Sequence, residues 1–214
     1  MAVIQSQTAS ASIRLELPPG EFKALLFDCD GTIADSMPLH YVAWKRALGE
    51  HGCEFPEDIF YAWGGMPAAE IIATLGRQQG IVMPIADVEH RKEALYYEML
   101  PDLRAVPEVL AEIERNWTGT RLPMAVVSGS TRDSVTRSLV ALDILDRFET
   151  LVCAGDYAKS KPDPEPFLTA AQRLGIAPEL CLVFEDTVMG IEAATSAGMA
   201  SIKILQPWER KRSC

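Results

Sequence analysis

The sequence predicts an α/β fold: a doubly wound parallel sheet with a Rossmann-like core and an inserted helical cap domain. From residue 105 onward, short apolar runs alternate with helical patterns at the spacing of right-handed βαβ crossovers. The stretch 38–104, in contrast, shows helical patterns with no strand between them. A chain of 214 residues with 48% hydrophobic residues is long enough to form one main domain and a smaller one.

The apolar patterns place each element in turn. The first strand is expected at 24–27, where four apolar residues are too few for a helix. The predicted cap helices cover 38–48, 68–75 and 86–100. The predicted elements after the cap are helices at 107–117, 131–142, 164–174 and 188–197, and strands at 123–127, 150–153, 181–184 and 201–205. We therefore expect a core domain of 21–37 and 105–214, a cap domain of 38–104, and a leader, 1–20, that is partly disordered.

Two aspartates follow the first strand directly. Asp28 ends the apolar run, and Asp30 and Gly31 come next, at the edge where open α/β sheets bind ligands. Neighbouring carboxylates repel each other and resist desolvation, whereas the oxygen-preferring cation Mg²⁺ would be held by both. A Ca²⁺ loop beginning Asp-x-Asp-Gly needs a glutamate at its twelfth position, which is Leu39 here. The pattern favours a Mg²⁺ site over Ca²⁺, with a simple turn as the alternative.

The second motif follows the strand predicted at 123–127. Ser128, Gly129 and Ser130 offer hydroxyls and backbone N–H groups just before a helix, which suits the oxygens of a phosphate. Ser-Gly-Ser is also ordinary loop sequence, so this motif is weak when taken alone.

Two further motifs carry charge. Lys161 precedes Pro162-Asp163-Pro164, and the alternative there is a solvated loop lysine. Glu185 and Asp186 end the apolar run 181–184 and add two carboxylates at a strand end. Asp186 also suits the N-cap of the next helix, and the two roles are compatible.

In this order, the four motifs resemble those of the haloacid dehalogenase-like superfamily, most of whose members are Mg²⁺-dependent phosphotransferases. The resemblance implies that Asp28 is the nucleophile that takes the phosphoryl group and that Asp30 is the general acid and base. Dehalogenases of the superfamily lack the second aspartate, so Asp30 argues against dehalogenation. The resemblance further implies that Lys161 neutralises the phosphoryl group and the aspartates.

The same resemblance implies the ligands of the metal and of the phosphate. Mg²⁺ would be held by the Asp28 carboxylate, the backbone carbonyl of Asp30, and Glu185 or Asp186. Ser128 and the N–H of Gly129 would hold the phosphoryl oxygens, with Ser130 also in the substrate site.

The helical insertion resembles the cap of the β-phosphoglucomutase branch, which closes over the active site. His40 matches a histidine that faces the reaction centre there, although a lone histidine is more often structural. Gly65, in the loop 63–67, would direct backbone N–H groups toward a ligand, and a simple helix-entry turn is equally compatible. Arg91 and Lys92 either direct positive charge toward the substrate or lie on a solvated helix face.

The cap departs from the mutase pattern at one position. β-Phosphoglucomutases carry an arginine in Gly-Val-Ser-Arg that holds the phosphate that is not transferred, and Ala68 stands there in this chain. The pattern is closer to sugar phosphatases that act on fructose-1-phosphate, so we expect hydrolysis of a small phosphorylated metabolite. A mutase, with Arg91, Lys92 or Arg132 replacing the missing charge, is the alternative. The second alternative is a catalytically silent binding protein on this fold.

Net charge and cysteine usage limit the classes of partner and the cellular compartment that we expect. A net charge of −10 argues against nucleic acid and anionic membranes as partners, and is compatible with a small phosphate ester. The five cysteines are scattered without a C-x-x-C pair, which suits a reducing compartment. No signal peptide or membrane span is visible, so we expect a cytoplasmic protein, as a monomer or weak homodimer.

Overall fold

The computed structural model describes residues 15–64 and 66–206, and within them five strands form one parallel sheet. In chain order the strands are β1 (Ala24–Phe27), β2 (Met124–Val127), β3 (Thr150–Val152), β4 (Cys181–Glu185) and β5 (Ala200–Lys203). Their spatial order is β3-β2-β1-β4-β5. Because β1 lies between β2 and β4, with Leu25 paired to Met124 and Leu182, the carboxyl ends of these three strands meet at the centre of one sheet edge.

The described residues also form eight α-helices. Four of them, called the insertion below, lie in the chain between β1 and the next core helix: α1 (Met37–Gly49), α2 (Glu57–Ala62), α3 (Ala68–Gln79) and α4 (Ile85–Glu98). The others are α5 (Pro107–Thr118), α6 (Arg132–Ala141), α7 (Glu165–Leu174) and α8 (Val188–Ser196). Proline lies in the first turn of α1, α5 and α7, where its missing N–H costs no helical hydrogen bond.

The two faces of the sheet carry separate apolar layers. Leu25 and Phe27 face the layer that includes α5 and α6, whereas Ala24 and Leu26 face the layer that includes α7 and α8. This two-residue alternation within a strand that is buried throughout is what a parallel sheet covered on both sides requires. A third buried cluster, which includes Trp44, holds the insertion together.

The predicted fold class is confirmed, with local differences. Every predicted strand and helix is present, but the second insertion helix extends to Gln79, where Gly80 ends it in the left-handed conformation. The six-residue helix α2 is missing from the prediction because it is too short to show a helical period. Of the predicted leader, residues 1–14 lie outside the described part, and the division into core and cap domains stays a prediction.

None of the helices in the described residues combines the length and the apolar character that crossing a bilayer demands.

Candidate active site

Three acidic side chains meet at the carboxyl ends of β1 and β4. Asp28 follows β1, Glu185 ends β4, and Asp186 comes next in the chain. Oxygen atoms of the three carboxylates all lie within 4.8 Å of one another, and all three residues are almost completely buried. Neighbouring strands in a parallel sheet thus bring together residues that are more than 150 positions apart in the chain.

Lys161 is inserted into this acidic cluster. Its Nζ donates to Asp28 Oδ1 over 2.7 Å, to Glu185 Oε2 over 2.6 Å and to the Val127 carbonyl over 3.0 Å. Burial acts to lower the pKa of this ammonium, but the charges of Asp28 and Glu185 outweigh burial and raise the pKa above its ordinary value. Lys161 is therefore a largely buried, charged partner of the carboxylates and not the solvated loop lysine that was the alternative.

Glu185 is held from the first turn of α8. The backbone N–H and the hydroxyl of Thr187 donate to Glu185 Oε1 over 3.0 and 2.7 Å. Gly190 makes room for the side chain, since a Cβ at that position would lie 1.9 Å from Glu185 Cδ. The N-cap of α8 is Thr187, whose hydroxyl accepts from the N–H of Gly190, so a cap role for Asp186 is wrong.

Asp186 turns toward the loop after β1 instead. Thr32 Oγ1 donates to Asp186 Oδ1 over 3.0 Å, and Gln206 Nε2 donates to Oδ2 over 2.8 Å. Gln206 also donates to the Gly31 carbonyl over 2.7 Å. Gly31 has φ +87°, and a Cβ there would lie 2.5 Å from Asp186 Oδ2, so the close approach requires glycine.

The charge balance of this cluster fits a divalent cation. The carboxylates of Asp28, Glu185 and Asp186 outnumber the single ammonium of Lys161. Burial, and then the charge of Glu185, raise the pKa of Asp28 above its ordinary value and that of Asp186 to about 7. Both raised pKa values reflect an excess of negative charge in a place shielded from water. A cation bound by these oxygens would offset that charge. An all-oxygen donor set of this kind suits Mg²⁺.

The Asp30 carboxylate belongs to a different group of side chains. Oδ1 accepts from Ser36 Oγ over 2.8 Å and lies 3.0 Å from His40 Nε2, and Oδ2 accepts from Ser130 Oγ over 2.7 Å. Burial acts to raise the pKa of Asp30, but the charge that His40 carries when protonated and the hydrogen bonds from His40, Ser130 and Ser36 outweigh burial and hold the pKa below its ordinary value. The hydrogen bonds act in the same direction when the His40 ring is neutral. Asp30 is thus ionised in this arrangement, whereas the general-acid role that the resemblance implies requires a protonated Asp30.

His40, on α1, is the nitrogen partner of Asp30 and is itself buried. Its Nδ1 is buried with no hydrogen-bond partner among the described residues. Burial, and then the charge of Lys92, lower the pKa of His40. A protonated ring would leave the Nδ1–H buried and unsatisfied, so the geometry favours a neutral imidazole that donates from Nε2 to Asp30.

The loop after β2 completes the arrangement. Ser128 is buried, and its Oγ accepts from the N–H of Ser130 over 3.0 Å. Gly129 between them is exposed, and Tyr157 anchors the loop by donating to the Ser128 carbonyl over 3.0 Å. The structure therefore brings the loop to Asp30 through Ser130. Gly65 lies outside the described residues.

The charged side chains of the insertion differ in their surroundings. Arg91 is partly exposed and donates from Nε to Glu50 over 2.8 Å, as on a solvated helix face. Lys92 is buried, 2.7 Å from Glu93, and its charge acts on His40. Arg91 therefore fits the alternative of a solvated helix face, whereas Lys92 is a buried charge that acts on His40.

Several residues of the site were absent from the sequence prediction. Thr32, Ser36, Thr187 and Gln206 all bond directly to the predicted acidic residues. Thr32, Ser36 and Thr187 lie within six positions of a predicted site residue, so proximity to the motifs was an available signal. Gln206 follows the last strand and carries no local pattern that would identify it.

Comparison with known proteins agrees with this geometry. The family model for haloacid dehalogenase-like hydrolases matches residues 25–204, which include all four motifs. Fructose-1-phosphate phosphatase YqaB of Escherichia coli is 35% identical over 184 residues, covering 86% of this chain and 96% of that protein. Beta-phosphoglucomutase of Bacillus subtilis is 31% identical over 192 residues, covering 86% and 84%.

A solved structure shows the same fold. The crystal structure of CbbY from Rhodobacter sphaeroides superimposes with a TM-score of 0.80 at 23% identity and covers 88% of both chains. The resemblance that the motifs indicated is confirmed. Because the family model spans most of the sequence, from β1 to the residue after β5, this chain belongs to the haloacid dehalogenase-like hydrolase family.

Proposed function

We propose that this chain is a Mg²⁺-dependent phosphatase that removes phosphate from a small sugar phosphate through an aspartyl-phosphate on Asp28. The observation that carries the proposal is the position of Lys161 between Asp28 and Glu185, with Asp186 beside them. The relatives support the proposal, since one is named a fructose-1-phosphate phosphatase and another a beta-phosphoglucomutase.

Asp28 is the nucleophile in this proposal. Its carboxylate attacks phosphorus, and the bond from phosphorus to the sugar oxygen breaks as the Asp28–phosphorus bond forms. A carboxylate approaches a phosphate dianion only if the negative charge between them is offset, and Lys161 already lies 2.7 Å from Asp28. When bound by Asp28, the Asp30 carbonyl, and Glu185 or Asp186, Mg²⁺ would supply further positive charge for that approach.

Asp30 is the proton-transfer residue. In the first step it gives a proton to the leaving sugar oxygen, and in the second it takes one from the water that attacks the aspartyl-phosphate. The proton lost in the first step is thereby replaced in the second. Because Ser36, His40 and Ser130 stabilise its ionised form, Asp30 is set for the second step, and acting as the acid requires it to loosen some of these bonds.

A mutase is the second candidate, and the buried Lys92 is the observation that favours it. The charge of this ammonium acts on His40, which makes Lys92 a candidate for holding a second phosphate. Its charge is matched by Glu93 at 2.7 Å, however, and Arg91 and Arg132 are paired with Glu50 and Asp156. The described charges thus give more support to a site for one phosphate. A silent binding protein would have no need of the Lys161 contacts.

The test is phosphate release from a panel of sugar phosphates, with and without Mg²⁺. We expect Mg²⁺-dependent release by the wild type and none by Asp28→Asn, since an amide is a poor nucleophile. Asp163→Asn, in the loop beside Lys161 but outside the carboxylate cluster, is the matched control and should retain activity. If Asp28→Asn kept even about a tenth of wild-type turnover, the covalent mechanism would be wrong. If the wild type released no phosphate from any member, the phosphatase proposal would fail.

A further inference from the structure

Tyr96 connects three elements around the proton-transfer residues. It is fully buried on α4, and its hydroxyl lies 2.8 Å from Ser138 Oγ on α6. Its ring stacks on that of His40, from α1, with 4.0 Å between centroids and 23° between planes. His40 in turn lies 3.0 Å from Asp30. A continuous series of contacts thus runs from a core helix, through the insertion, to Asp30.

The direction of the Tyr96 hydrogen bond follows from its surroundings. Ser138 Oγ donates to the Ser134 carbonyl over 3.0 Å, so its single proton is already engaged. Tyr96 is therefore the donor to Ser138. Burial, and then the charge of Asp30, raise the pKa of the phenol above its ordinary value, so Tyr96 retains its proton. The ring is fixed at its hydroxyl end by this bond.

His40 depends on its ring contact for orientation. A functional histidine is usually held by hydrogen bonds at both ring nitrogens. Here Nε2 meets Asp30, but Nδ1 is buried without a partner in the described part of the chain. One hydrogen bond leaves an imidazole able to tilt about that bond. The flat face of Tyr96, stacked on the His40 ring, is a contact that restricts this tilt.

We infer that Tyr96 is a positioning residue, which orients His40 and through it the carboxylate of Asp30. The inference rests on the proposed function, in which Asp30 transfers the proton. The alternative is that Tyr96 only fills the buried cluster of the insertion, as its neighbour Leu95 does. The two roles differ in what they predict for a chain that lacks His40.

The kinetic test is a double-mutant cycle between Tyr96→Leu and His40→Ala. In the wild-type background, Tyr96→Leu should lower kcat by about tenfold or more and change KM by less than about threefold, because a fully buried ring is not placed to bind substrate. In the His40→Ala background, the same substitution should change kcat by less than about twofold, since the residue that it orients is gone. Tyr96→Phe keeps the ring and should retain kcat within about threefold.

Leu95→Ala is the matched control for packing. It removes a buried side chain next to Tyr96, so it should lower the melting temperature while leaving kcat of the folded protein within about twofold. A kcat for Tyr96→Leu as high as that of Leu95→Ala would overturn the inference. An equal loss of kcat with and without His40 would overturn it as well.

A spectroscopic measurement separates this inference from the phosphatase proposal. The Nε2–H proton of His40 should give a slowly exchanging NMR signal in the wild type, and Tyr96→Leu should abolish that signal. If Tyr96→Leu does not fold, Tyr96→Phe and Ser138→Ala remain. Each releases the hydroxyl anchor and should speed exchange of this proton by about threefold or more. Unchanged exchange in these variants would overturn the inference, whereas a wild type without phosphatase activity would overturn only the proposed function.

Discussion

The side-chain nitrogen of Lys161 lies 2.7 Å from a carboxylate oxygen of Asp28, although 133 residues separate the two in the chain. The contact joins the loop after β3 to the end of the central strand. Because both groups are out of water, each depends on the other for its charged state. Glu185 accepts a hydrogen bond from the same ammonium, so loss of Lys161 leaves two buried carboxylates without their cation.

The first prediction is that Lys161→Met is inactive and destabilised. A thioether chain of similar length fills the space but leaves Asp28 and Glu185 uncompensated. We expect kcat to fall by at least about 100-fold and the free energy of unfolding to fall by about 3 kcal/mol. Phosphate release and denaturant unfolding measure the two effects. Lys159→Met is the control, since that side chain is 73% exposed and should be neutral. Activity of Lys161→Met within threefold of wild type would contradict the assigned role.

The second prediction concerns Gln206, whose amide joins Asp186 Oδ2 to the Gly31 carbonyl. Gln206→Ala removes the hydrogen bond to Asp186 Oδ2 and leaves the bond from Thr32 to Oδ1, so Asp186 is held less firmly beside the other carboxylates. Loss of a residue that orients a metal ligand typically weakens metal binding by about 10–100-fold. We expect that weakening in calorimetric titration with Mg²⁺, with kcat largely restored at saturating Mg²⁺.

A matched glutamine serves as the control for this experiment. Gln79, at the end of α3, bonds through its amide to the backbone of Glu54 far from the acidic cluster. Gln79→Ala should bind Mg²⁺ as the wild type does. Equal affinity in Gln206→Ala would show that Thr32 alone is sufficient to orient Asp186.

The residues of the site differ in whether the sequence alone could predict them. Asp28, Ser128 and Glu185 each end or follow an apolar strand, so a local pattern identifies them and parallel pairing brings them together. Gln206 and Tyr96 act through contacts that exist only after folding, and neither carries a local pattern. The sequence likewise offered Asp186 as a helix cap, because an aspartate before a helix is a good capping residue. Thr187 takes that position in the fold.

The third prediction is that Asp186 contributes increasingly to the stability of the metal-free protein as the pH falls below 7. The pKa of Asp186 is about 7 in the folded protein against an ordinary value of 3.8, so the folded state takes up the proton first. Its contribution to stability therefore increases as the pH falls from about 7 toward that ordinary value.

The measurement compares unfolding of the wild type and Asp186→Asn in EDTA, so that contributions common to both, such as that of His40, cancel. Between pH 8 and pH 5.5, the wild type should gain about 1–2 kcal/mol relative to the variant. Saturating Mg²⁺ should remove the difference in slope, because a bound cation keeps Asp186 ionised. Asp102→Asn, at an exposed position outside the carboxylate cluster, is the control for replacing an aspartate by asparagine. Parallel curves for wild type and Asp186→Asn without metal would contradict the prediction.

The fourth prediction is that hydrolysis outpaces isomerisation, and it depends on Ala68. This residue begins α3 at the position where β-phosphoglucomutases place an arginine for the phosphate that is not transferred. A bidentate contact between arginine and phosphate contributes more than about 1.5 kcal/mol, so its absence should weaken capture of a second phosphate at least about tenfold. A bisphosphate intermediate would then escape or hydrolyse before it could reorient.

The decisive assay supplies β-glucose-1-phosphate with a trace of the 1,6-bisphosphate and follows both glucose-6-phosphate and free phosphate. We expect phosphate release, from this or another sugar phosphate, with little glucose-6-phosphate. Ala68→Arg restores the missing guanidinium and should shift the product ratio toward glucose-6-phosphate, whereas the uncharged Ala68→Gln should not. Rapid, primer-dependent formation of glucose-6-phosphate by the wild type, with negligible phosphate, would make this chain a mutase. In that case Lys92, the buried ammonium on the side of His40, would be the charge to test next.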